Sequence, residues 1–205
     1  MTNKMGGPKE CGKRPGDLLE KAKKDRNAFP AFLEEVQKQF FGIALAKLGN
    51  KSDAEDAIQD AMLKIFLNIK RYDPDKDRNR KAGWAFRILW NCANDIGRRK
   101  AKQLTVERHS IEDIANAPLY WDGADPSADA EGREDKNLLQ TVLEQLSAQD
   151  REVLALAYWG NLTIKESAEV LDIPPGTVAS RVARARNKLQ SILEPFWSQL
   201  VNEKC

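Results

Sequence analysis

The chain has 205 residues, of which 41% are hydrophobic and 31% charged, and its formal net charge is +2. This composition is typical of a globular protein with much exposed helical surface, and the length allows one domain or two small ones. The near balance of charge excludes a polycation, so any binding of nucleic acid must come from local patches.

The N-terminal residues 1–16 are rich in Gly, Pro and Lys, which predicts a disordered extension. Neither this segment nor any later one contains a long apolar run, so no signal peptide or membrane span is predicted. The cysteines Cys11, Cys92 and Cys205 have neither disulfide-framework nor zinc spacing. We therefore expect a cytoplasmic protein without a metal site.

The segment after this extension predicts three long helical regions. Helical periodicity begins at Asp17 and is interrupted near Pro30. A further helix follows over SDAEDAIQDAMLKIFLNIKRY, with Ser52 as its predicted N-cap and acidic residues in its first turn. After the charged loop Asp73–Lys81, the segment WAFRILWNCANDIGRRKAK predicts another long helix. These elements form a predicted first domain over residues 17–103.

A change of composition separates this domain from the next. Residues 104–135 are acidic and rich in Ala, Asp, Gly and Pro, which predicts a flexible acidic linker. Four short amphipathic helices follow within residues 136–194, and Pro195 is expected to end the last one before a tail over residues 195–205. Because no alternating run of β-branched residues indicates a strand, the predicted fold class is all-α, with two small helical domains.

The stretch LTIKESAEVLDIPPGTV predicts a helix, a tight turn and a second helix. Thr163 and Glu166 have the spacing of a capping box, and Asp172 suits a left-handed residue where the first helix ends. The pair Pro174–Pro175 prevents continuation of that helix, and Thr177 is expected to cap the second. Such a turn before a polar, basic helix is typical of a helix-turn-helix, whose second helix enters the major groove.

On a helical wheel, this second helix separates into an apolar side and a polar, cationic side. The apolar side contains Val178, Val182, Ala185, Leu189 and Leu193. The candidate DNA-contacting residues are polar or cationic: Thr177, Ser180, Arg181, Arg184, Arg186 and Lys188. Arginine can pair bidentately with guanine, although an ordinary amphipathic helix with a solvated face has the same wheel. Arg186 lies away from the stripe, so it is expected to contact phosphate or to bind within the protein.

The stretch LSAQDREVLALAYWGNLTIKESAEVLDIPPGTVASRVARARNKLQ resembles the sigma-4 domain of bacterial RNA polymerase sigma factors of the extracytoplasmic-function (ECF) type. The resemblance implies that the second helix reads the −35 promoter element. Ser167 departs from the family pattern, which usually has an apolar residue at this place in the first helix. LuxR-like transcription regulators share the motif, so this half alone does not decide between the two classes.

The helix that follows residue 50 has a predicted buried side made of Ala54, Ile58, Ala61, Met62, Ile65 and Ile69. Its opposite side is acidic and carries two leucines four residues apart: Asp53, Asp56, Gln59, Asp60, Leu63 and Leu67. Scattered exposed leucines are ordinary, whereas leucines framed by carboxylates favour a partner-docking surface. The stretch DAEDAIQDAMLKIF also resembles the sigma-2 helix that binds the polymerase β′ clamp helices. That resemblance implies polymerase contacts at Asp56, Gln59 and Asp60, with Leu63 beside them.

The stretch WAFRILWNCANDIGRRK resembles the sigma-2 segment that melts and reads the −10 element. Duplex opening requires cations for phosphate and surfaces that receive unstacked bases. The candidate −10 residues are Arg80, Lys81, Arg87, Trp90, Asn91, Asn94, Arg98 and Arg99. The wheel buries Phe86, Leu89, Ala93 and Ile96, and at least one of Trp84 and Trp90 is expected in the core. By resemblance, the loop Asp73–Lys81 is where a flipped base is captured.

The resemblance covers about residues 18–102 and 136–193, with both motif sets in the family order. It implies a sigma factor that binds core RNA polymerase, through the β′ clamp helices and the β flap, and promoter DNA. An anti-sigma factor is an expected further partner. The alternatives are a stand-alone helix-turn-helix regulator and a sigma-mimicking interaction protein. The sequence contains no P-loop, nucleophile elbow or metal spacing, and His109 is its single histidine, so neither enzymatic activity nor a cofactor is expected.

Overall fold

The computed structural model describes residues 15–73, 83–107 and 145–202, and the regular elements in these ranges are helices, which confirms the all-α prediction. The N-terminal half, residues 15–107, contains α1 (Pro15–Lys24), α2 (Phe29–Leu48), α3 (Lys51–Asn68) and α4 (Gly83–Glu107). The short 3-10 helices Arg26–Ala28 and Ile69–Arg71 follow α1 and α3. The C-terminal half, residues 145–202, contains α5 (Ala148–Tyr158), α6 (Ile164–Leu171) and α7 (Pro175–Asn202).

The ends of α2 and α3 follow from local capping chemistry. Pro30 lies in the first turn of α2, where no intrahelical amide donor is needed, and Gly49 ends that helix in the left-handed conformation at φ 69°. The N-cap of α3 is Asn50 rather than Ser52, so that prediction was wrong. Asn50 caps as well as serine does, and its side-chain oxygen accepts a hydrogen bond from the Asp53 amide at 3.1 Å.

One apolar core joins the helices of the N-terminal half. Phe40 of α2 and Phe86 of α4 are fully buried and meet edge to face, with ring centroids 5.1 Å apart. The predicted buried residues of α4 are confirmed as buried: Phe86, Leu89, Ala93 and Ile96. In α3, the predicted side is also turned inward, with Ala54, Ala61, Ile65 and Ile69 buried and Ile58 and Met62 half-buried. The 3.6-residue periodicity therefore identified the inward faces correctly.

The C-terminal half has small apolar clusters and contributes to the larger core as well. One small cluster contains Leu146, Leu154 and Ala185, and a second contains Val153, Ala168 and Val178. Further buried residues of this half belong to the core of the N-terminal half: Ala155, Leu156, Leu162 and Val170. The two halves are therefore packed together, with α5 against α2 and α6 against α4.

Two predicted boundaries differ in the structure. Helix α4 continues to Glu107, so the first residues of the predicted linker are helical, and residues 108–144 lie outside the described ranges. Helix α7 continues through Pro195 to Asn202, although Pro195 was expected to end it. A proline removes one amide donor from a helix and is accommodated at a cost, so it does not always stop the helix. The N-terminal residues 1–14 also lie outside the described ranges.

Candidate partner and nucleic-acid interfaces

The outward side of α3 combines carboxylates with exposed leucines. Leu63 is 58% exposed and Leu67 65% exposed, one helical turn apart. Around them lie the exposed side chains of Asp56, Gln59 and Asp60. We call these five residues the α3 docking face. Because large apolar side chains framed by charges are typical of partner surfaces rather than of a merely solvated helix, the face is suited to bind another protein.

Asp53 lies outside this face, contrary to the prediction. It is 7% exposed, and its carboxylate pairs with the Lys100 ammonium of α4. The first turn of α3 lies against α4, and a buried carboxylate requires a cation or hydrogen-bond donors to offset its desolvation. Asp53 therefore joins two helices of the N-terminal half and is not available to a partner.

Helix α4 presents a polar stripe made of Arg87, Asn91, Asn94 and Arg98. These residues are exposed except for Asn94, which is half-buried. Arg98 lies 3.7 Å from Asp95, and Arg99, next to the stripe, lies 3.9 Å from Asp60 on α3. Exposed ion pairs of this kind contribute little stability, so both guanidinium groups can exchange a carboxylate for a phosphate. The predicted residues Arg80 and Lys81 lie outside the described ranges.

Trp90 does not lie on this stripe. It is 5% exposed, and the Lys47 ammonium lies 4.7 Å from the centroid of its ring. Position 90 follows Phe86 by one helical turn, so the indole enters the same core, whereas Asn91 points outward. The expectation that at least one of Trp84 and Trp90 is a core residue is confirmed. The expectation that Trp90 receives an unstacked base does not fit this buried position.

A cavity of 310 Å³ opens between the end of α3 and the beginning of α4. Its lining combines amides and cations with a half-buried indole: Lys64, Asn68, Arg71, Trp84, Ile88 and Asn91. The Trp84 ring is held by Tyr72, with centroids 5.4 Å apart. An aromatic surface with amides and cations beside it suits an unstacked base and its phosphate.

The α3 contribution to this cavity was not predicted from the sequence. Lys64, Asn68 and Arg71 have the spacing i, i+4, i+7, which places them along one side of a helical path. That spacing was a usable signal, but it does not indicate that the path lies beside Trp84. The association follows only from the packing of α3 on α4.

Cys92 lies in the core and contacts Lys64, which lines the cavity. Burial raises the pKa of its thiol, nearby Asp60 and Asp95 raise the pKa further, and the hydrogen bond from Lys64 opposes these effects. The Lys64 Nζ donates this bond to the Cys92 Sγ at 3.4 Å. Because the net shift is upward, the thiol stays protonated at neutral pH and has a structural role.

Helices α6 and α7 form the helix-turn-helix that the sequence predicts. The capping box is present: the Glu166 amide donates to the Thr163 Oγ1 at 3.3 Å, and the Thr163 amide donates to the Glu166 carboxylate at 2.8 Å. Asp172 ends α6 in the left-handed conformation, at φ 55° and ψ 46°. Both observations confirm predictions made from residue types and their spacing within this short stretch.

The beginning of α7 differs from the prediction that Thr177 is its cap. The helix begins at Pro175, whose fixed φ suits the first helical position. The preceding carbonyl, that of Pro174, accepts a hydrogen bond from the Thr177 amide at 2.9 Å. Thr177 is therefore already inside the first turn, where its side chain is half-buried.

Helix α7 packs through the predicted apolar side, with Val178 and Ala185 buried and Val182, Leu189 and Leu193 half-buried. Ser180 and Lys188 are exposed on the opposite side, and Arg181 is half-buried there. The first two turns of α7 thus present a hydroxyl group and a cation. This combination can contact base edges in a major groove.

Arg184 is engaged with Asp150 at the beginning of α5. Its Nη2 donates to Asp150 Oδ1 at 2.8 Å, and its Nε donates to both carboxylate oxygens at 3.2 Å. Asp150 is only 5% exposed. Burial raises the pKa of Asp150, but the hydrogen bonds from Arg184 and Ser147, with the positive charges of Arg184 and Arg181, outweigh it and lower the pKa below its usual value. The pair therefore fixes α7 on α5.

Arg186 and Ser167 have further roles inside the C-terminal half. The Arg186 Nε donates to the Tyr158 hydroxyl at 3.0 Å, which confirms an interaction within the protein as one of its two expected roles. Ser167 is buried, and its hydroxyl finds no hydrogen-bond partner among the described residues. The departure from an apolar residue at this position thus leaves a polar atom unsatisfied in the core.

Two further findings apply to residues 15–73, 83–107 and 145–202. No three His, Cys, Asp or Glu side chains in these ranges converge in a way that could hold a metal ion. In the same ranges, every helix is too short or too polar to span a bilayer.

Comparison with known proteins decides the family. The family model described as Sigma-70 region 2 matches residues 32–114, and Sigma-70, region 4 matches residues 136–189. The ECF RNA polymerase sigma factor SigW of Bacillus subtilis (strain 168) is 30% identical over 175 residues, which cover 83% of this chain and 91% of that protein. The chain belongs to the ECF sigma factors of the sigma-70 family. It directs promoter-specific transcription, and the presence of both regions disfavours a stand-alone regulator.

Two solved structures have the same fold as this ECF sigma factor. The structure of CnrH in complex with the cytosolic domain of CnrY has a TM-score of 0.58 at 22% identity and covers 89% of this chain and 99% of its own. The sigma factor RpoE in complex with the anti-sigma factor NepR from Bartonella quintana has a TM-score of 0.56 at 26% identity and covers 87% and 97%. Sigma factors regulate transcription and are not themselves catalysts.

Proposed function

We propose that the α3 docking face binds the β′ clamp helices of core RNA polymerase, that α4 and its cavity melt and read the −10 element, and that α7 reads the −35 element. One observation carries this proposal. The docking face and the α4 stripe lie on two helices that pack directly against each other. A polymerase bound to α3 therefore holds α4 at a fixed place on the DNA.

The chemistry of the docking face supports a basic, partly apolar partner. Leu63 and Leu67 supply the apolar contact, and Asp56 and Asp60 supply negative charge around it. Complementary charges steer the encounter, and the buried leucines contribute to the lifetime of the complex. Arg99, which lies 3.9 Å from Asp60, places a cation at the border between the polymerase surface and the DNA surface.

At the −10 element, the α4 stripe and the cavity contact different parts of the DNA. Arg87, Arg98 and Arg99 hold phosphates, and Asn91 and Asn94 contact exposed bases. The cavity lined by Trp84 receives one unstacked base, with Lys64 and Arg71 near its phosphate. Arg80 and Lys81 remain candidates on the strength of the family resemblance.

At the −35 element, base reading belongs to the first two turns of α7. Ser180 and Arg181 contact base edges, Thr177 lies beside them, and Lys188 contacts phosphate farther along the helix. Arg184 and Arg186 are positioning residues, because their guanidinium groups bind Asp150 and Tyr158. The β flap is the proposed polymerase contact of this half.

Reconstituted transcription tests the proposal. Wild-type chain and core RNA polymerase are incubated with a library of genomic fragments, and the start sites that appear are mapped. The triple variant Asp56→Ala, Gln59→Ala, Asp60→Ala is expected to lose holoenzyme assembly in a pull-down and to lose these transcripts. The control variant Glu20→Ala, Lys21→Ala, Lys24→Ala changes three polar side chains of α1 and should keep both. Undiminished assembly of the first variant contradicts the docking proposal.

We also propose that an anti-sigma factor controls the chain. The support is the relative RpoE, which was crystallised with the anti-sigma factor NepR. A protein that copurifies with the chain is expected to abolish transcription from the mapped start sites when added to the reconstituted reaction. A copurifying protein that leaves those transcripts unchanged is not this regulator.

A further inference from the structure

A lysine of α1 connects that helix to the residues around the Trp84 cavity. The Lys23 Nζ donates a hydrogen bond to the backbone carbonyl of Tyr72 at 2.5 Å, in a partly buried position. The two residues are 49 positions apart in the chain, so the contact depends on the fold. Lys23 precedes residues 32–114, which the Sigma-70 region 2 model matches. The donor therefore belongs to an element outside the matched region.

Helix α1 holds this lysine at a defined place. Its apolar side chains Leu18, Leu19 and Ala22 are buried in the core of the N-terminal half, and the helix packs on α2. Lys23 follows Ala22 directly and is half-buried. Because the start of the lysine side chain is fixed by this packing, its ammonium has a defined position at the Tyr72 carbonyl.

The Tyr72 backbone benefits from this donor because it lies at the end of a 3-10 helix. The Tyr72 amide donates to the Ile69 carbonyl at 3.2 Å and so ends the 3-10 helix Ile69–Arg71. Hydrogen bonds in 3-10 helices have poorer geometry than those in α-helices, so this end is weakly held by its own bonds. An ammonium donates a charge-assisted hydrogen bond, which is stronger than a neutral one. Lys23 therefore stabilises the backbone position of Tyr72.

Tyr72 in turn holds the indole of Trp84. The Tyr72 side chain is 1% exposed, and its ring centroid lies 5.4 Å from that of Trp84, with the ring planes 43° apart. Trp84 lines the cavity between α3 and α4, and so does Arg71, the residue before Tyr72. A shift of the Tyr72 backbone therefore moves an aromatic wall and a cation of this cavity together.

We infer that Lys23 is a positioning residue for the captured −10 base. Its hydrogen bond to the Tyr72 carbonyl holds Trp84 and Arg71 in the geometry that receives the base and its phosphate. The inference rests on the proposed function of the cavity. Lys23 acts through Tyr72, to which its ammonium is bonded, rather than by contact with the DNA. A binding site of this kind depends on the residues that support the side chains in contact with the ligand.

Abasic substitutions measure base capture. Holoenzyme is assembled from the full chain and core RNA polymerase, and its Kd is measured for single-stranded −10 oligonucleotides taken from the mapped promoters. In each oligonucleotide, one nucleotide lacks its base. The position where this change raises the Kd most, by about tenfold for one lost stacking contact, identifies the captured base. Trp84→Ala should abolish the increase at that position.

Lys23→Met keeps the apolar stem and removes the donor. It should reduce the abasic increase in Kd at the identified position by about threefold, the factor expected for one hydrogen bond, and leave the other positions unchanged. Lys23→Arg keeps a charged donor and should restore the wild-type increase. Lys24→Met is the matched control, because Lys24 is the next residue of α1 but is exposed and pairs with Glu20 at 3.4 Å. This control should keep the wild-type increase.

Two results overturn the inference while the proposed function stands. In the first, Lys23→Met keeps the full increase at the identified position although Trp84→Ala loses it. In the second, Lys23→Met weakens binding to every oligonucleotide by the same factor, as the loss of a direct phosphate contact does. Partial misfolding of a variant lowers its active fraction equally for all oligonucleotides, so it does not change the ratio of two Kd values. Lys23→Gln provides the same comparison if Lys23→Met does not assemble with core polymerase.

A different result identifies a failure of the proposed function. If the wild-type holoenzyme shows no abasic increase at any −10 position, or if Trp84→Ala keeps the increase, the cavity does not capture a base. The proposed function of the cavity then fails, and the inference fails with it.

Discussion

The N-terminal and C-terminal halves of this sigma factor are stabilised by different means. The N-terminal half is organised around one core with large buried side chains such as Phe32, Phe40 and Phe86. The C-terminal half has two small apolar clusters, and polar contacts contribute to its stability. These contacts include the Thr163 capping box and the Asp150–Arg184 ion pair. Small units bury too little apolar surface to be very stable alone. The comparison indicates that the stability of the C-terminal half, which has the smaller apolar clusters, depends more on charged contacts than the stability of the N-terminal half does.

Removing a core ring should have the largest effect on stability. Phe40→Ala is expected to lower the free energy of unfolding by about 3–5 kcal/mol, because it leaves a cavity beside Phe86. Denaturant unfolding followed by circular dichroism measures this change. Leu67→Ala on the exposed side of α3 is the control, with an expected change within about 0.5 kcal/mol. If Phe40→Ala lowers the free energy of unfolding by less than Asp150→Asn does, apolar burial is not the main source of stability in the N-terminal half.

Asp150→Asn should destabilise the C-terminal half by about 2 kcal/mol at pH 7, because it weakens charge-assisted hydrogen bonds to a buried group. The folded-state pKa of Asp150 is lowered, so its contribution is present above the unfolded value of about 3.9 and is lost as the pH falls through the folded value. Unfolding measured between pH 7 and pH 3 should show a shallower loss of stability on acidification for the variant than for the wild type. Identical pH dependence of the two chains contradicts this role.

Arg181→Ala should affect DNA reading rather than folding. If Arg181 pairs bidentately with guanine, its loss costs about 1–3 kcal/mol at the cognate −35 element and relaxes the preference at one base pair. Holoenzyme binding to promoters with single −35 substitutions measures this preference. Lys188→Ala is the matched comparison: it should weaken binding to all sequences equally and reduce the salt slope by about 1. An unchanged base preference in Arg181→Ala would assign sequence reading to other residues.

The smallest expected effect has the opposite sign. Ser167→Ala removes a buried hydroxyl that has no partner among the described residues, so it should stabilise the C-terminal half by about 1 kcal/mol. Ser180→Ala, on the exposed side of α7, serves as a control and should change stability by less than about 0.5 kcal/mol. Thermal unfolding of both variants checks the sign. A destabilised Ser167→Ala would mean that the hydroxyl has a bonding partner after all.

Features that depend on neighbouring residues in the chain could be predicted from the sequence. The inward faces of α3, α4 and α7, the capping box and the left-handed Asp172 follow from spacing within one helix or one turn. Where two nearby residues could each begin or cap a helix, the predicted residue was not the one used in the structure. Asn50 rather than Ser52 caps α3, and Pro175 rather than Thr177 begins α7.

Features that depend on which helices meet could not be predicted. The pairing of Asp53 with Lys100, the engagement of Arg184 by Asp150 and the joint cavity of α3 and α4 join residues far apart in sequence. A helical wheel considers one helix at a time and assumes that its whole polar side faces water. It therefore placed Asp53 and Arg184 on outward faces, although a second helix covers part of each face. What the wheel predicted correctly is exposure at positions that no second helix covers, such as Asp56, Gln59 and Asp60.

The position of Trp159 also gives this chain an optical signal. Its indole lies half-buried against Gly42, and indole emission shifts to longer wavelengths when the ring becomes exposed to water. Trp159→Phe supplies the difference spectrum that separates this ring from the other four tryptophans of the chain. The emission of Trp159 with and without core polymerase then shows whether the contact between Trp159 and Gly42 is kept in the complex.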